Sequence, residues 1–329
     1  MDALKVGVVG GGVSGLYVAL RLKMAGAHPT IFDKGIRLGG RLSARTVLKN
    51  QIPTSVRSFR SRPDQVPDLR FLFGDGFRQL PESTDGQSAV ADRLWEFGAE
   101  TFDRLSELSA DLRPVRGLVS QLTPAPSDRV ALHIWGNEPL QPFDAVVLTP
   151  PVPQLVQLLH RNEVTVPEEL EKIHYSRQLV FIGSGRQATQ SGSESQAESS
   201  SNFWSHLNVK ALEQSDSVTF AGYATNSFSD QIWGQDASVI EAELALAMHR
   251  SVTGLEIQDA SVKRWRYANA LSPAHRDCTQ PVDGSLPIWI CGDGLGSKPG
   301  ADWGISRAID TAVATFSGLS DTFNLDDPA

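Results

Sequence analysis

The sequence predicts an α/β chain of Rossmann type that carries a second, discontinuous α+β domain, on three observations. An apolar strand, Val6-Gly7-Val8-Val9, runs straight into Gly10-Gly11-Gly12-Val13-Ser14-Gly15. One amphipathic segment later comes a second apolar strand with an acid at its tip, Thr30-Ile31-Phe32-Asp33. Far downstream, Leu286-Pro287-Ile288-Trp289-Ile290-Cys291-Gly292-Asp293-Gly294 is another apolar strand, ending in Gly-Asp-Gly. The first two form a βαβ unit of the dinucleotide-binding kind, and the third returns the chain to it.

Each residue of the turn has a physical task. Gly10 permits the tight exit from the strand, Gly12 lets backbone N–H groups approach a pyrophosphate, and Gly15 lets the helix pack close to the sheet. Val13 and Ser14 open that helix, whose apolar stripe is Leu16, Ala19, Leu20, Leu22 and Met24. Asp33 lies about 18 residues past Gly15, where its carboxylate accepts hydrogen bonds from a ribose, and Lys34 follows it. Flavin and nicotinamide dinucleotides present the same ADP half to such a turn. The next motif separates them: Gly39-Gly40-Arg41-Leu42 lays backbone against an extended cofactor and adds a guanidinium for phosphate, which a nicotinamide dehydrogenase does not need.

Along the rest of the chain, Asp85-Gly86-Gln87-Ser88 predicts the start of a helix carrying Ala89, Val90, Leu94, Trp95 and Phe97. Strands are expected at Leu118–Leu122, Val130–Trp135 and Ala145–Leu148, the last leading to Thr149 and a proline-rich crossover, Pro150-Pro151-Val152-Pro153. The helix Ala237–Arg250 shows a packing stripe of Ile240, Leu244 and Ala247. A Ser/Gln/Glu-rich stretch, Gln190–Asn202, reads as a mobile loop. Because it follows at once, Phe181-Ile182-Gly183-Ser184-Gly185-Arg186-Gln187-Ala188 is rejected as a second nucleotide turn: no helix N-terminus is available for a phosphate. The expected division is 1–50, 84–150 and 256–329 for the cofactor domain, with 51–83 and 151–255 for the substrate domain.

With 329 residues, 40% of them hydrophobic, the chain can bury two cores. A net charge of −8 argues against nucleic acid or an anionic membrane as main partner. Residues 34–78 reverse that sign, with ten Lys/Arg against three Asp. They fit either a solvated loop with one or two arginines serving a pyrophosphate, or a basic mouth for an anionic small-molecule substrate. The two cysteines, Cys278 and Cys291, form no redox or metal motif, and no His pair has metal-ligand spacing. No apolar run approaches the ~20 residues of a membrane span, the first strand begins almost at residue 1, and a cytoplasmic location is expected.

The two ends of the chain resemble FAD oxidoreductases of the flavin amine oxidase superfamily. Within it, Phe143–Pro153 and Lys263-Arg264-Trp265-Arg266-Tyr267-Ala268 are similar to the renalase family. That resemblance implies the two-domain fold shared by amine oxidases and p-hydroxybenzoate hydroxylase. It also implies FAD, here expected to be held non-covalently. The backbone of Val119 would face the adenine and Asp293 would lie beside the ribityl and pyrophosphate. Gly304 and Ile305 would present a helix start to the flavin N1/C2=O edge.

Trp303 is expected either as a wall of the flavin pocket or as packing, and Trp265, Arg266 and Tyr267 either beside the substrate or, for the two aromatics, in an interdomain core. The activity implied is hydride transfer from isomeric reduced nicotinamide dinucleotides to flavin, with O2 as acceptor and hydrogen peroxide as product. The chain departs from that family at Val56-Arg57-Ser58-Phe59-Arg60-Ser61-Arg62-Pro63, where renalases place a strand over the flavin. Oxidation of an amine or desaturation of a ring is the alternative on the same fold. A flavin-bearing, redox-responsive partner protein with little turnover is the alternative of another class.

Overall fold

The structure, a computed structural model, describes residues 3–55, 58–80, 93–137, 142–187, 202–212, 215–282, 284, 286–296 and 304–326. They form two compact units, each made of separate chain segments: Met1–Leu42, Arg57–His174 and Ala270–Ala329 in the first, Ser43–Val56 and Tyr175–Asn269 in the second.

The first unit is built on a five-stranded sheet in the order Ile288–Ile290, Ala145–Leu148, Lys5–Val9, His28–Asp33, Val115–Arg116, with every pair parallel. All of Ala145–Leu148 and all of Lys5–Val9 beyond Lys5 are buried, as continuous apolar runs in a sheet covered on both faces require. Two helices, Val13–Met24 and Gly304–Phe323, pack on one another, and Ser14 Oγ donates to Ala308 O at 2.9 Å. The antiparallel ribbon Val119–Ala125/Arg129–Ile134 closes over the central strand at Gly7, where an added Cβ would lie 2.9 Å from Leu132.

A smaller antiparallel sheet, Ser58–Ser61, Arg93–Phe97, Phe77–Gln79, holds an aromatic cluster in which Phe59 and Phe97 stack at 4.5 Å. This corrects the helix expected from Asp85. Residues 85–90 lie outside those described, and Leu94, Trp95 and Phe97 are in a strand because neighbouring strands supply both ladder partners and aromatic contacts. The helix follows at Ala99–Leu112. The proline run likewise opens a helix, Val152–Arg161, with proline fitting a first turn whose N–H groups have no intrahelical partner.

The second unit is a four-stranded antiparallel sheet in the order Trp204–Ala211, Ser217–Ala224, Gln178–Gln187, Leu255–Trp265. Leu179, Phe181 and Phe220 bury one face together with Ile240, Leu244, Ala247 and Met248 of the helix Ala237–Ser251. Val180, Ile182, Ala221 and Tyr223 bury the other against Val47 and Ile52 of the hairpin Ala44–Val47/Asn50–Pro53. Gly183 and Gly185, the glycines of the rejected second turn, are paired strand residues.

These contacts displace the expected boundaries. The hairpin belongs to the second unit because Tyr223 Oη and Trp265 Nε1 donate to the carbonyls of Pro53 and Thr54 at 2.7 and 2.6 Å. The stretch after it joins the first unit through the aromatic cluster. Residues 151–174 also stay with the first unit, where Leu122 N donates to Asn162 Oδ1 at 2.8 Å. Residues 256–269 go to the second, because Leu255–Trp265 is an edge strand of its sheet.

Candidate functional site

The elements that carry the glycine turn converge at the C-terminal ends of adjacent parallel strands, where open α/β sheets bind ligands. Gly10 N donates to Phe32 O at 2.8 Å, closing the turn between Lys5–Val9 and His28–Asp33. The Asp33 carboxylate accepts Gly11 N and Gly35 N, each at 2.6 Å, and has lone pairs left for a ribose. Thr149, at the end of Ala145–Leu148, donates to Val9 O and Gly10 O at 3.0 Å each and so pins the turn from its other side.

Two glycines there differ in what they face. A Cβ at Gly15 would run into the carbonyl of Gly10, so the fold itself demands that glycine. A Cβ at Gly12 would meet nothing within 4 Å. Gly12 caps the helix Val13–Met24 with extended backbone and no side-chain cap, leaving helix-start N–H groups beside that space. Ser14 spends its hydroxyl on Ala308 and offers only backbone there.

The Gly-Gly-Arg segment lies on the same turn. Gly39 N donates to Gly11 O at 2.7 Å, a Cβ on Gly40 would come 3.1 Å from Gly12 Cα, and Leu42 N closes back onto Gly39 O at 2.9 Å. Arg41 then reaches Asp293 with both terminal nitrogens, at 2.6 and 2.7 Å. Asp293 is buried, Gly292 N is held by Thr311 Oγ1 at 3.0 Å, and Arg307 Nε donates to Asp293 O at 2.7 Å. A Cβ on Gly304, at the start of the C-terminal helix, would be 3.7 Å from Asp293 Oδ2, and Ile305 is buried beside it.

Gly10, Gly12, Val13, Ser14, Gly15, Asp33, Gly40, Arg41, Leu42, Thr149, Gly292, Asp293, Gly304 and Ile305 therefore share one region of the first unit. Lys34 is exposed beside Asp33, and Val119 is two residues beyond Gly117, whose N–H donates to Asp33 O at 2.9 Å. Trp303 lies outside the described residues.

Residues 8–72 match the family model of the NAD(P)-binding Rossmann-like domain. Over 137 residues, 40% of the chain, the sequence is 33% identical to coproporphyrinogen III oxidase of Mycobacterium leprae (strain TN), a match spanning only 30% of that protein. Among solved structures, the chain superposes on a protein described as a protoporphyrinogen oxidase from Exiguobacterium sp. 255-15 with a TM-score of 0.69 at 14% identity, covering 98% of this chain and 100% of that one. Cyclohexylamine oxidase from Brevibacterium oxydans IH-35A gives a TM-score of 0.61 at 12% identity, covering 97% and 100%. The fold is the one shared by these two solved oxidases.

In that fold the remaining candidates divide. Trp265, Arg266 and Tyr267 belong to the second unit, Trp265 as the last residue of the strand Leu255–Trp265 and the other two just beyond it. Trp265 is tied by its indole N–H to Thr54 O and lies under Lys263 Nζ, 4.6 Å from the ring centroid. Tyr267 meets Tyr175 edge-on at 5.7 Å, and Arg266 is exposed. The basic stretch also divides: Arg41, Arg62 and Arg78 pair with Asp293, Asp310 and Glu96, while Arg45 and Lys49 sit on the hairpin of the other unit.

Burial pushes the Cys278 thiol up to about 12 and raises the Cys291 thiol as well, which disfavours the thiolate that a nucleophile needs. Among the described residues no group of acids, histidines or cysteines is arranged to hold a metal, and no helix is long and apolar enough to cross a membrane. Local sequence gave no sign of Gln65, Ser306, Arg307, Asp310 or Thr311, because their partners are set by the fold.

Proposed function

We propose that this chain is an FAD-dependent oxidoreductase in which a small organic donor passes hydride to the flavin and O2 reoxidises it, giving hydrogen peroxide. The observation that carries the reading is the open space over Gly12 beside uncapped helix-start N–H groups, which a pyrophosphate fills in both volume and charge. FAD rather than a nicotinamide dinucleotide is favoured because Gly39-Gly40-Arg41 extends the cradle from that turn to Asp293 and the start of the C-terminal helix. Bound there, FAD supplies the hydride acceptor, and the chain supplies binding, orientation and a positive helix end at the flavin N1 side. Attachment is non-covalent: Cys291, the thiol next to Gly292, is buried and held protonated.

For the donor we favour a renalase-like substrate, an isomeric reduced nicotinamide dinucleotide, which the exposed cations Lys34, Arg37 and Arg70 suit. A second reading, desaturation of a ring, is favoured by the porphyrinogen oxidase names of the M. leprae relative and the Exiguobacterium structure. The visible spectrum of the purified protein tests the cofactor, and anaerobic addition of reduced nicotinamide dinucleotide with its minor isomers tests the donor. Flavin bands that bleach quickly and return with air support the first reading. Bleaching by a porphyrinogen or an amine instead moves the assignment to the second or to amine oxidation. Bands that no donor bleaches leave a redox-responsive binding protein, and an absence of flavin after added FAD sinks the proposal.

A further inference from the structure

We propose that Arg62 and Gln65 form a positioning clamp on the first two turns of the C-terminal helix, and that the Arg62–Asp310 pair, by cancelling a carboxylate in that helix, sets the reduction potential of the flavin; this rests on the FAD reading above. Arg62 grips the Asp310 carboxylate with both terminal nitrogens, Nη1 to Oδ2 at 2.9 Å and Nη2 to Oδ1 at 2.8 Å. The side chains are 22% and 10% exposed.

Gln65, only 2% exposed, is spent entirely on this contact. Its Nε2 donates to Ser306 O at 3.0 Å and to Asp310 Oδ1 at 2.8 Å. Its Oε1 accepts from Ser306 Oγ at 2.5 Å and from Arg62 N at 3.0 Å. Arg62 also pairs with Asp64, whose side chain is 61% exposed. Arg62 lies within Val56–Pro63, the segment at which the chain departs from renalases, and Gln65 follows two residues after it.

A charged pair is a poor choice if stability were its whole purpose, since apolar residues of the same volume commonly serve as well. Its position supplies another reason. Asp310 lies six residues from Gly304, about 9 Å along the helix at 1.5 Å per residue. An uncompensated carboxylate there would oppose the positive helix end and any negative charge that flavin reduction places beside it. Among the described residues, Asp293, Arg41 and Arg307 also lie near that end, and they are left intact in the comparison below.

The midpoint potential of the FAD-loaded protein is measured at alkaline pH for the parent, Arg62→Met, Asp310→Asn and the double variant, with Arg62→Lys as the charge-preserving control. Arg62→Met is expected to lower the potential and Asp310→Asn to raise it, each by about tenfold in the reduction equilibrium, ~30 mV for a two-electron couple. The double variant and Arg62→Lys return close to the parent. Shifts of the same sign, or none while FAD stays bound, overturn the proposal, because a merely structural clamp disturbs the helix equally from either side. Should Arg62→Met fail to fold, the sign for Asp310→Asn decides: a rise supports the proposal, and a fall or no change overturns it. A chain that takes up no FAD removes the underlying reading, a failure the absorption spectrum reveals before any potential is measured.

Discussion

At the residue scale, Gly12 and Gly15 separate what the fold needs from what a ligand needs. Alanine at Gly15 drives a methyl into Gly10 O and is expected to cost about 2 kcal/mol or more in stability, seen as a lower Tm with or without FAD. Alanine at Gly12 adopts the same extended backbone at a cost under about 1 kcal/mol, yet FAD affinity falls at least ~tenfold, measured by flavin titration of the apoprotein. If Gly12→Ala binds FAD like the parent, the space over the turn is not the pyrophosphate site.

The cysteines give a second check. Both are buried and held protonated, so a thiol reagent at neutral pH labels neither in the native protein and both in denaturant. The turn closed by Gly10, Gly15 and Asp33 was legible in the sequence because its contacts are made within one βαβ unit. Gln65 was not, because its partners Ser306 and Asp310 come from a helix almost at the other end of the chain.

At the element scale, the hairpin of the second unit turns on Leu48 and Lys49, with φ of 46° and 69°. Two-residue hairpin turns that need positive φ at both positions favour Asn-Gly, and β-carbon crowding makes other residues costly there. Replacing the pair, L48N/K49G, is expected to stabilise the protein by about 1–2 kcal/mol, read as a higher denaturation midpoint at unchanged m-value. Strands with their own signature were read correctly, since Ala145–Leu148 is buried on both faces and the apolar run says so. Arg93–Phe97 was misread as helix because apolar residues at 94, 95 and 97 fit a helical stripe as readily as a strand. What decides in favour of strand is Phe59 and Phe77 on the neighbouring strands, which no window of local sequence contains.

At the scale of the whole molecule, each unit has its own core, while the residues proposed to hold FAD belong to the first. FAD at 100 times its Kd is therefore expected to raise the stability of the first unit by about 2.7 kcal/mol. Hydrogen exchange reads this as added protection in Lys5–Val9 and Ala145–Leu148, and equal protection of the sheet Gln178–Gln187/Ser217–Ala224 would show that the cradle is not confined to one unit. Two domains were legible from the return of a glycine-ended strand near residue 290. Their seams were not, because a seam is set by which strands pair, and Leu255–Trp265 pairs with Gln178–Gln187.

The same parallel sheet has a consequence for how the protein is made. Its central strand, Lys5–Val9, leaves the ribosome about 280 residues ahead of the edge strand Ile288–Ile290, and the helix that Arg62 and Gln65 grip follows that strand. At 5–20 residues per second, a nascent chain waits roughly 15–60 s with the outer edge of its buried sheet uncovered and its cofactor cradle unfinished. Throughout that interval the apolar run Ala145–Leu148, once made, is a natural target for a holding chaperone.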